Sequence, residues 1–426
     1  MRPFEVVRDP LWDNITLDEA ALSLVDSAPF QRLRYVRQLG HAFLVYPGAT
    51  HSRFEHALGA YHLTKRALRT LELRGELDGI AEADRLAVTL AALLHDVGHY
   101  PFSHSLEEAG FPSHEAQGEA RLQSGVLQER LTAIGGEGFP ARVADLIRSR
   151  SASPLQGLIS GTLDLDKIDY LCRDSRMCGV PYGTVDVDRL LASLTMVQAG
   201  PGGQRGLGVL EKGVSALESL LFAKYQMYRN VYWHHAVRSA TCMFKRAART
   251  AVAHGAVTRE RVAELTDDEL MQLLIERERN PLAGALRERR LYKRALDLPG
   301  SEVRAATPEW VAEDPDLLER VEDALAVEAG LAPGELLLDF PSRHSMLGVD
   351  LPLKLRDGTV ERLTDEGRAG HLGLPRIAGE LYRSARRLRV FVARGVEMDT
   401  DGVTRLVGLT SAEITRNLDE ATPLLK

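Results

Sequence analysis

A mainly α-helical chain with a smaller α+β region behind it is what the sequence predicts, on three observations. Apolar residues recur at helical spacing through most of the first 250 positions. Short apolar runs bounded by turn signals such as Asp357-Gly358 are confined to the tail. The longest apolar stretch, Leu86 to Leu94, is far short of the roughly 20 residues of a membrane span, so no membrane partner is expected.

The elements follow in order. Ser52-Arg53-Phe54-Glu55 has the Ser-x-x-Glu spacing of a capping box, and Phe54, Leu58, Tyr61, Ala67, Leu68 and Leu71 continue the apolar stripe until Gly75. A second helix starts near Asp84, turns Leu86, Leu90, Leu93 and Leu94 inward and breaks at Gly98, with Pro101 opposing continuation. A third starts near Asp164 and runs through Ile168 and Leu171, and a long one covers about Gly213 to Thr250. Ala253-His254-Gly255 is the expected boundary between a region 1–253 and a region 254–426. Past it, the charged run Glu276 to Arg294 reads as a solvated surface helix rather than an anion site. Leu336 to Phe340, Glu361 to Leu363 and Arg389 to Ala393 read as short strands. Gly200 to Gly208 lacks the Lys-Ser/Thr of a phosphate loop and reads as a hairpin or mobile loop.

Composition narrows the function. Lys plus Arg is 53 and Asp plus Glu is 60, a formal charge of −7, which argues against a nucleic-acid partner but leaves a nucleotide open, since that needs only a local cluster of cations. Hydrophobic residues at 44% and charged ones at 27% are those of a soluble globular protein with a sizeable core. Three cysteines cannot build a disulfide framework, so Cys172 and Cys178 read as reduced thiols. No apolar run follows a basic start at Met1-Arg2-Pro3-Phe4-Glu5, and the expected location is the cytoplasm.

Histidine placement carries the functional signal: eight of the 13 fall between His41 and His114. The densest string is His95-Asp96-Val97-Gly98-His99-Tyr100-Pro101-Phe102-Ser103-His104. His95-Asp96 ends an apolar helix, where an unpaired carboxylate would cost several kcal/mol to bury. A divalent cation removes that cost; on the dipeptide alone, a local cap or ion pair is the commoner reading. Two further segments shift the balance. Arg53-Phe54-Glu55-His56 puts a histidine on the preceding helix, and the helix from Asp164 sets Asp166, Lys167, Tyr170 and Asp174 within one face at about 100° per residue. An acid, an amine, a phenol and a second acid suit a phosphorylated substrate over a metal. His41 and His62 read as surface or packing residues, His51 stays open between packing and ligand, and His254, His344 and His371 sit outside every motif.

With Arg-Phe-Glu-His upstream, His-Asp-x-Gly-His-x-Pro-Phe-Ser-His in the middle and Asp-x-Asp-Lys-x-Asp-Tyr downstream, the chain resembles the HD-domain phosphohydrolases, most of all the deoxynucleoside triphosphate triphosphohydrolase branch, from about Asp9 to Ala240. The resemblance implies an HD-domain helical core and a metal-dependent phosphohydrolase cleaving a dNTP to deoxynucleoside and triphosphate. It implies His56, His95, Asp96 and Asp166 as metal ligands. It also implies His99, His104, Glu107 and His114 as proton-transfer and phosphate-contacting groups. Lys167, Tyr170 and Asp174 would face the substrate, Arg53 and Lys224 its phosphates, and Gln38 with Leu39 its sugar and base, while Tyr232 would exclude a ribose 2′-hydroxyl. Nitrogen and carboxylate donors suit one divalent transition metal (Mn, Fe, Ni or Zn) better than an all-oxygen Mg site, with Mg left to accompany the phosphates. Asp26 and Arg34 match a base-recognising pair of the family's activator site, although Arg8 stands where relatives carry a small amide, and the family's habit implies a homo-oligomer. The alternatives are an HD phosphohydrolase acting on nucleoside monophosphates or cyclic nucleotides, and a non-catalytic nucleotide-binding regulator.

Overall fold

The computed structural model describes residues 4–161, 163–198, 203–303, 309–341, 351–363 and 373–425. The chain opens on a hairpin of β1 (Phe4–Asp9) and β2 (Asp13–Asp18), which helical periodicity gives no hint of. Asp9 ties its turn by accepting the backbone N–H groups of Leu11 and Trp12 at 2.8 Å each, and Ile15 and Leu17 of β2 are buried. Helix α1 (Arg53–Leu73) starts on the expected capping box, with the Glu55 carboxylate accepting from the backbone and hydroxyl of Ser52. Helices α2 (Glu82–Leu94) and α3 (Leu165–Cys178) pack on α1 around Tyr61, Leu63, Leu90, Leu94, Ile168 and Leu171, all fully buried. Asp164 caps α3 by accepting from the Lys167 N–H at 3.1 Å.

Two expected helices are corrected. Gly213 to Thr250 is not continuous: α4 (Val214–Met227) runs into a π-helical turn at Tyr228–Tyr232, and α5 (His235–Ala253) restarts with His234 as its cap. Val231, Tyr232 and Trp233 are weak helix formers, and the Tyr232 and Trp233 rings both pack edge-on to Tyr228. Glu276 to Arg294 is a π-helical turn (Leu273–Arg277), a short helix (Pro281–Arg287) and then strand β5 (Lys293–Pro299). Asn280-Pro281 restarts the chain there, with the Asn280 side chain accepting from Leu282 and Ala283.

The described strands β3 (Leu194–Gln198) and β4 (Arg205–Leu210) form the expected hairpin, its residues 199–202 lying outside the described residues. Beyond β5 come α6 (Pro315–Glu328) and the tail strands β6 (Leu336–Asp339), β7 (Pro352–Lys354) and β8 (Val360–Arg362), then α7 (Leu374–Ala385) and β9 (Arg387–Val392). Strands β5, β9 and β6 make one antiparallel sheet against α5 and α6, whereas β7 pairs parallel with β4 and joins the order β3-β4-β7-β8. Helix α7 sends Leu374 and Ala378 back into the first core. His344 and His371 lie outside the described residues. Among the described residues no helix is long and apolar enough to cross a membrane.

Candidate metal centre

The His95-Asp96 pair sits in the turn that closes α2, facing the first turns of α1 and α3. His56, His95 and Asp166 bring one donor atom each within 4.8 Å of one another, and Asp96 lies against both histidines. His56 Nε2 lies 2.7 Å from Asp166 Oδ1, 3.2 Å from His95 Nε2 and 3.7 Å from Asp96 Oδ2. His95 Nε2 lies 3.3 Å from Asp96 Oδ1 and 3.5 Å from Asp166 Oδ1. Bonds of about 2.0–2.1 Å to one ion would set neighbouring donors roughly 3.0–3.4 Å apart, so this spacing fits a shared cation.

Tautomers strengthen the fit. His95 Nδ1 is 2.9 Å from the Ala92 carbonyl and His56 Nδ1 is 2.7 Å from Asp169 Oδ2, so each Nδ1 carries its proton to an acceptor. Both neutral rings then aim an Nε2 lone pair at the other across 3.2 Å, which is repulsive unless a cation lies between them. Burial disfavours charge on either ring, yet the surrounding carboxylates prevail: His56 is pushed up to about 10, chiefly by Asp166 and Asp169, and His95 is raised by Asp96 and Asp166. A divalent cation satisfies the same field with both imidazoles neutral. Asp96 stays ionised despite burial, held far below the usual carboxylate range by Arg53, whose Nη1 donates at 2.7 Å.

Behind this quartet stands a buried array that sequence reasoning missed. Asp169, one turn beyond Asp166, accepts from His56 and from both Nε and Nη2 of Arg173 at 2.9 Å each, and also from Trp12 Nε1. Arg173 is itself tied to Asp9 by Nη1 at 2.8 Å. Carboxylates behind metal-binding histidines fix ring orientation and raise basicity. Gly59 makes the approach possible, since a Cβ there would stand 1.8 Å from Asp169 Oδ1. The available signal was the i,i+3 spacing of two acids on one helix, followed by Arg at i,i+4.

A second cluster lies across Asp96. His99, His104, Glu107 and His114 bring one donor atom each within 4.8 Å of one another. Gly98 allows it: the loop runs so close to the helix His114–Leu122 that a Cβ on Gly98 would meet the His114 carbonyl at 2.0 Å. The His99 ring consequently stacks on His114 at 3.8 Å, with its Nε2 3.0 Å from Asp96 Oδ1. Glu107 Oε1 meets His114 Nδ1 at 2.9 Å and His104 Nδ1 at 3.3 Å. His99 is held neutral by burial and by Arg53, whereas Glu107 raises His104 against the effect of burial. The His104 side chain is 57% exposed and that of His114 13%, so His104 is the more open of the two.

The remaining expected residues join this site in a chain of contacts. Tyr170 packs edge-on to His56 and to Tyr232, both at 6.4 Å, and the Tyr232 hydroxyl donates to Asp174 Oδ2 at 2.7 Å. Asp174 also meets buried His51 Nε2 at 2.7 Å, which turns the open reading of His51 into a partner of the substrate-side acid. Lys167 Nζ bonds Asp164 Oδ2 and the Gly161 carbonyl at 2.6 Å, while buried Lys224 lies over Tyr228 and is lowered to about 8 by burial and by Lys167. Buried Gln38 leaves its Oε1 without a partner, beside half-buried Leu39. Arg53, expected on phosphates, gives its guanidinium to Asp96 and to Ser103 Oγ at 3.0 Å. His41 packs on Phe102 at 4.2 Å, and His62 stacks on Trp12. Asp26 and Arg34 are both exposed, with Arg34 lying 3.5 Å over the Phe54 ring. Cys172 and Cys178 are free thiols.

Comparison with known proteins assigns the chain two family regions. Residues 53–174 match the HD domain and residues 185–366 the HD associated region. An uncharacterised protein of Methanocaldococcus jannaschii is 37% identical over 68% of this chain and 59% of its own length. Deoxynucleoside triphosphate triphosphohydrolase SAMHD1 of Gallus gallus is 30% identical over 54% of this chain and 42% of its own. The chain thus spans about half the length of the curated relatives it matches. The crystal structure of a hypothetical protein from Aquifex aeolicus superposes over 99% of this chain and 100% of that one, with a TM-score of 0.70 and 26% identity.

Proposed function

We propose that this chain, which carries an HD domain and an HD associated region, is a metal-dependent phosphohydrolase with the finer activity of a dNTP triphosphohydrolase that releases deoxynucleoside and inorganic triphosphate. The observation that carries it is the placement, side by side, of a cation-type donor set and a half-exposed histidine backed by a carboxylate. The triphosphohydrolase among its relatives supports the substrate.

In this reading His56, His95, Asp96 and Asp166 hold one divalent transition metal. When bound, it supplies Lewis acidity and lowers the pKa of water from 15.7 toward about 7. The protein's own groups do the rest. Lys167 and Lys224 face the phosphates and offset their charge. Arg53 acts on Asp96, keeping it ionised and aimed. His104 holds a proton at Nε2 for the departing 5′-oxygen, because its Nδ1 is engaged by Glu107 and an alkoxide needs protonation to leave. His114 shares that carboxylate and stacks on His99, so it steadies the dyad. Gln38 Oε1, buried and unpartnered, accepts from the sugar 3′-hydroxyl. The Tyr232 ring, anchored by its hydroxyl to Asp174, closes the space a 2′-hydroxyl would occupy. A nucleotide activator at exposed Asp26 and Arg34, a homo-oligomer and a division at 253/254 belong to the same proposal.

Product analysis tests it: each dNTP, alone and mixed, is incubated with Mn, Mg, Co or Ni. Deoxynucleoside plus intact triphosphate is expected; orthophosphate or pyrophosphate with nucleotide left behind would refute the bond assignment.

A further inference from the structure

Glu107, which holds the proposed proton donor His104, and Tyr232, assigned above to sugar discrimination, each precede a residue tied into one charge network whose centre is buried and whose outer end, Glu108, is exposed. Glu108 accepts a two-pronged bond from Arg238 of α5, at 2.9 Å from Nη1 and 2.8 Å from Nη2, and a third from Lys245 at 3.2 Å. The same Arg238 donates to Asp339, the last residue of β6, at 3.1 Å from Nε and 2.6 Å from Nη2. Across the sheet, Asp339 pairs with Arg389 of β9 and accepts its Nη1 at 3.4 Å. Arg389 Nη2 then donates to the Trp233 carbonyl at 2.9 Å, which ends the π-helical turn carrying Tyr232. Arg238, Asp339 and Arg389 are all buried. A buried charge stripped of its partner is strongly unfavourable, so the network fixes the relative position of whatever it touches.

It touches one thing on each side of the site. The loop 103–111 holds His104 and Glu107, and the turn 228–233 holds Tyr232; no contact of the network reaches His56, His95, Asp96 or Asp166. A core needing only fold stability is served at this junction by apolar packing, as the neighbouring Leu337 and Phe391 are. Five charged side chains meeting between the tail sheet and these two segments serve geometry.

We propose that the C-terminal sheet is a positioning device: through Arg238, Asp339 and Arg389 it sets the Glu107 loop and the Tyr232 turn in register with each other. The roles given to those two segments rest on the triphosphohydrolase reading; the mechanical coupling does not.

Hydrogen–deuterium exchange on the full metal-loaded chain separates the two. Asp339→Asn is expected to raise exchange about tenfold in both 103–111 and 228–233 while α1, α3 and the metal content stay as in the unsubstituted protein. Arg389→Gln is expected to loosen 228–233 alone. In turnover, Asp339→Asn lowers kcat with KM for the dNTP kept, and Arg389→Gln lowers the preference for deoxy over ribose substrates with kcat kept. A folded Asp339→Asn protein with both segments unchanged overturns the coupling, as does an Arg389→Gln protein that loosens both segments equally. If Asp339→Asn does not fold, the Arg389→Gln pattern decides by itself. A chain that turns over no dNTP yet shows this exchange pattern keeps the coupling and loses the substrate reading.

Discussion

Two histidine clusters stand on either side of Asp96, and they hold their rings in opposite ways. In the first, His56 and His95 give their Nδ1 protons to Asp169 and the Ala92 carbonyl, so both Nε2 atoms turn inward toward Asp96 and Asp166. In the second, His104 and His114 both turn Nδ1 to Glu107, and the His104 side chain is exposed. Lone pairs converging on a point suit a cation; a carboxylate-backed imidazole with a free second nitrogen suits a proton. The same residue types therefore acquire different chemistry from which nitrogen the second partner takes.

The sharpest break of this comparison is on the first cluster. His95→Ala or Asp96→Ala is expected to abolish turnover together with metal content, measured by elemental analysis and initial rates; normal turnover in metal-depleted Asp96→Ala protein would defeat the assignment. On the second cluster, His104→Ala keeps its metal and slows turnover by roughly 10²–10⁴-fold. Glu107→Gln gives a smaller loss with a signature in pH. Glu107 raises the His104 pKa, so the acid form persists to higher pH, and removing the carboxylate moves the descending limb of kcat to lower pH. Asp169→Asn returns to the first cluster from behind. It keeps all four donors but weakens metal affinity by about 10–100-fold, read by competition with a chelator. The smallest effect concerns the phosphates. Lys224, lowered to about 8, loses its charge as pH rises through that value, so KM for the dNTP climbs there, whereas Lys224→Arg stays flat because guanidinium remains charged.

How much of this was legible in the sequence follows from range. The capping box at Ser52, the cap at Asp164 and the apolar stripes of α1, α2 and α3 are local, and they appear where spacing puts them. The expected grouping of His56, His95, Asp96 and Asp166 came from motif order; His56, His95 and Asp166 lie within ligand reach of one another and Asp96 stands beside them. What depends on partners far along the chain was not legible. Asp169 has Arg173 one turn away, but its bonds to His56 and Trp12, and that of Arg173 to Asp9, span 113, 157 and 164 residues. Arg53 is redirected from phosphate to Asp96 because Asp96 is buried where only a cation can neutralise it. The break at Tyr228–Tyr232 escaped periodicity because a π-helical turn keeps apolar residues coming at nearly helical intervals. The β1–β2 hairpin escaped because only Ile15 and Leu17 alternate inward before the next helix begins.

Locating the cation in crystals of the metal-loaded protein, by anomalous scattering at the metal edge, bears most directly on the division of labour between the clusters. One peak enclosed by His56, His95, Asp96 and Asp166, with nothing between His104, Glu107 and His114, is the expected map. A peak in the second cluster and none in the first would contradict the account.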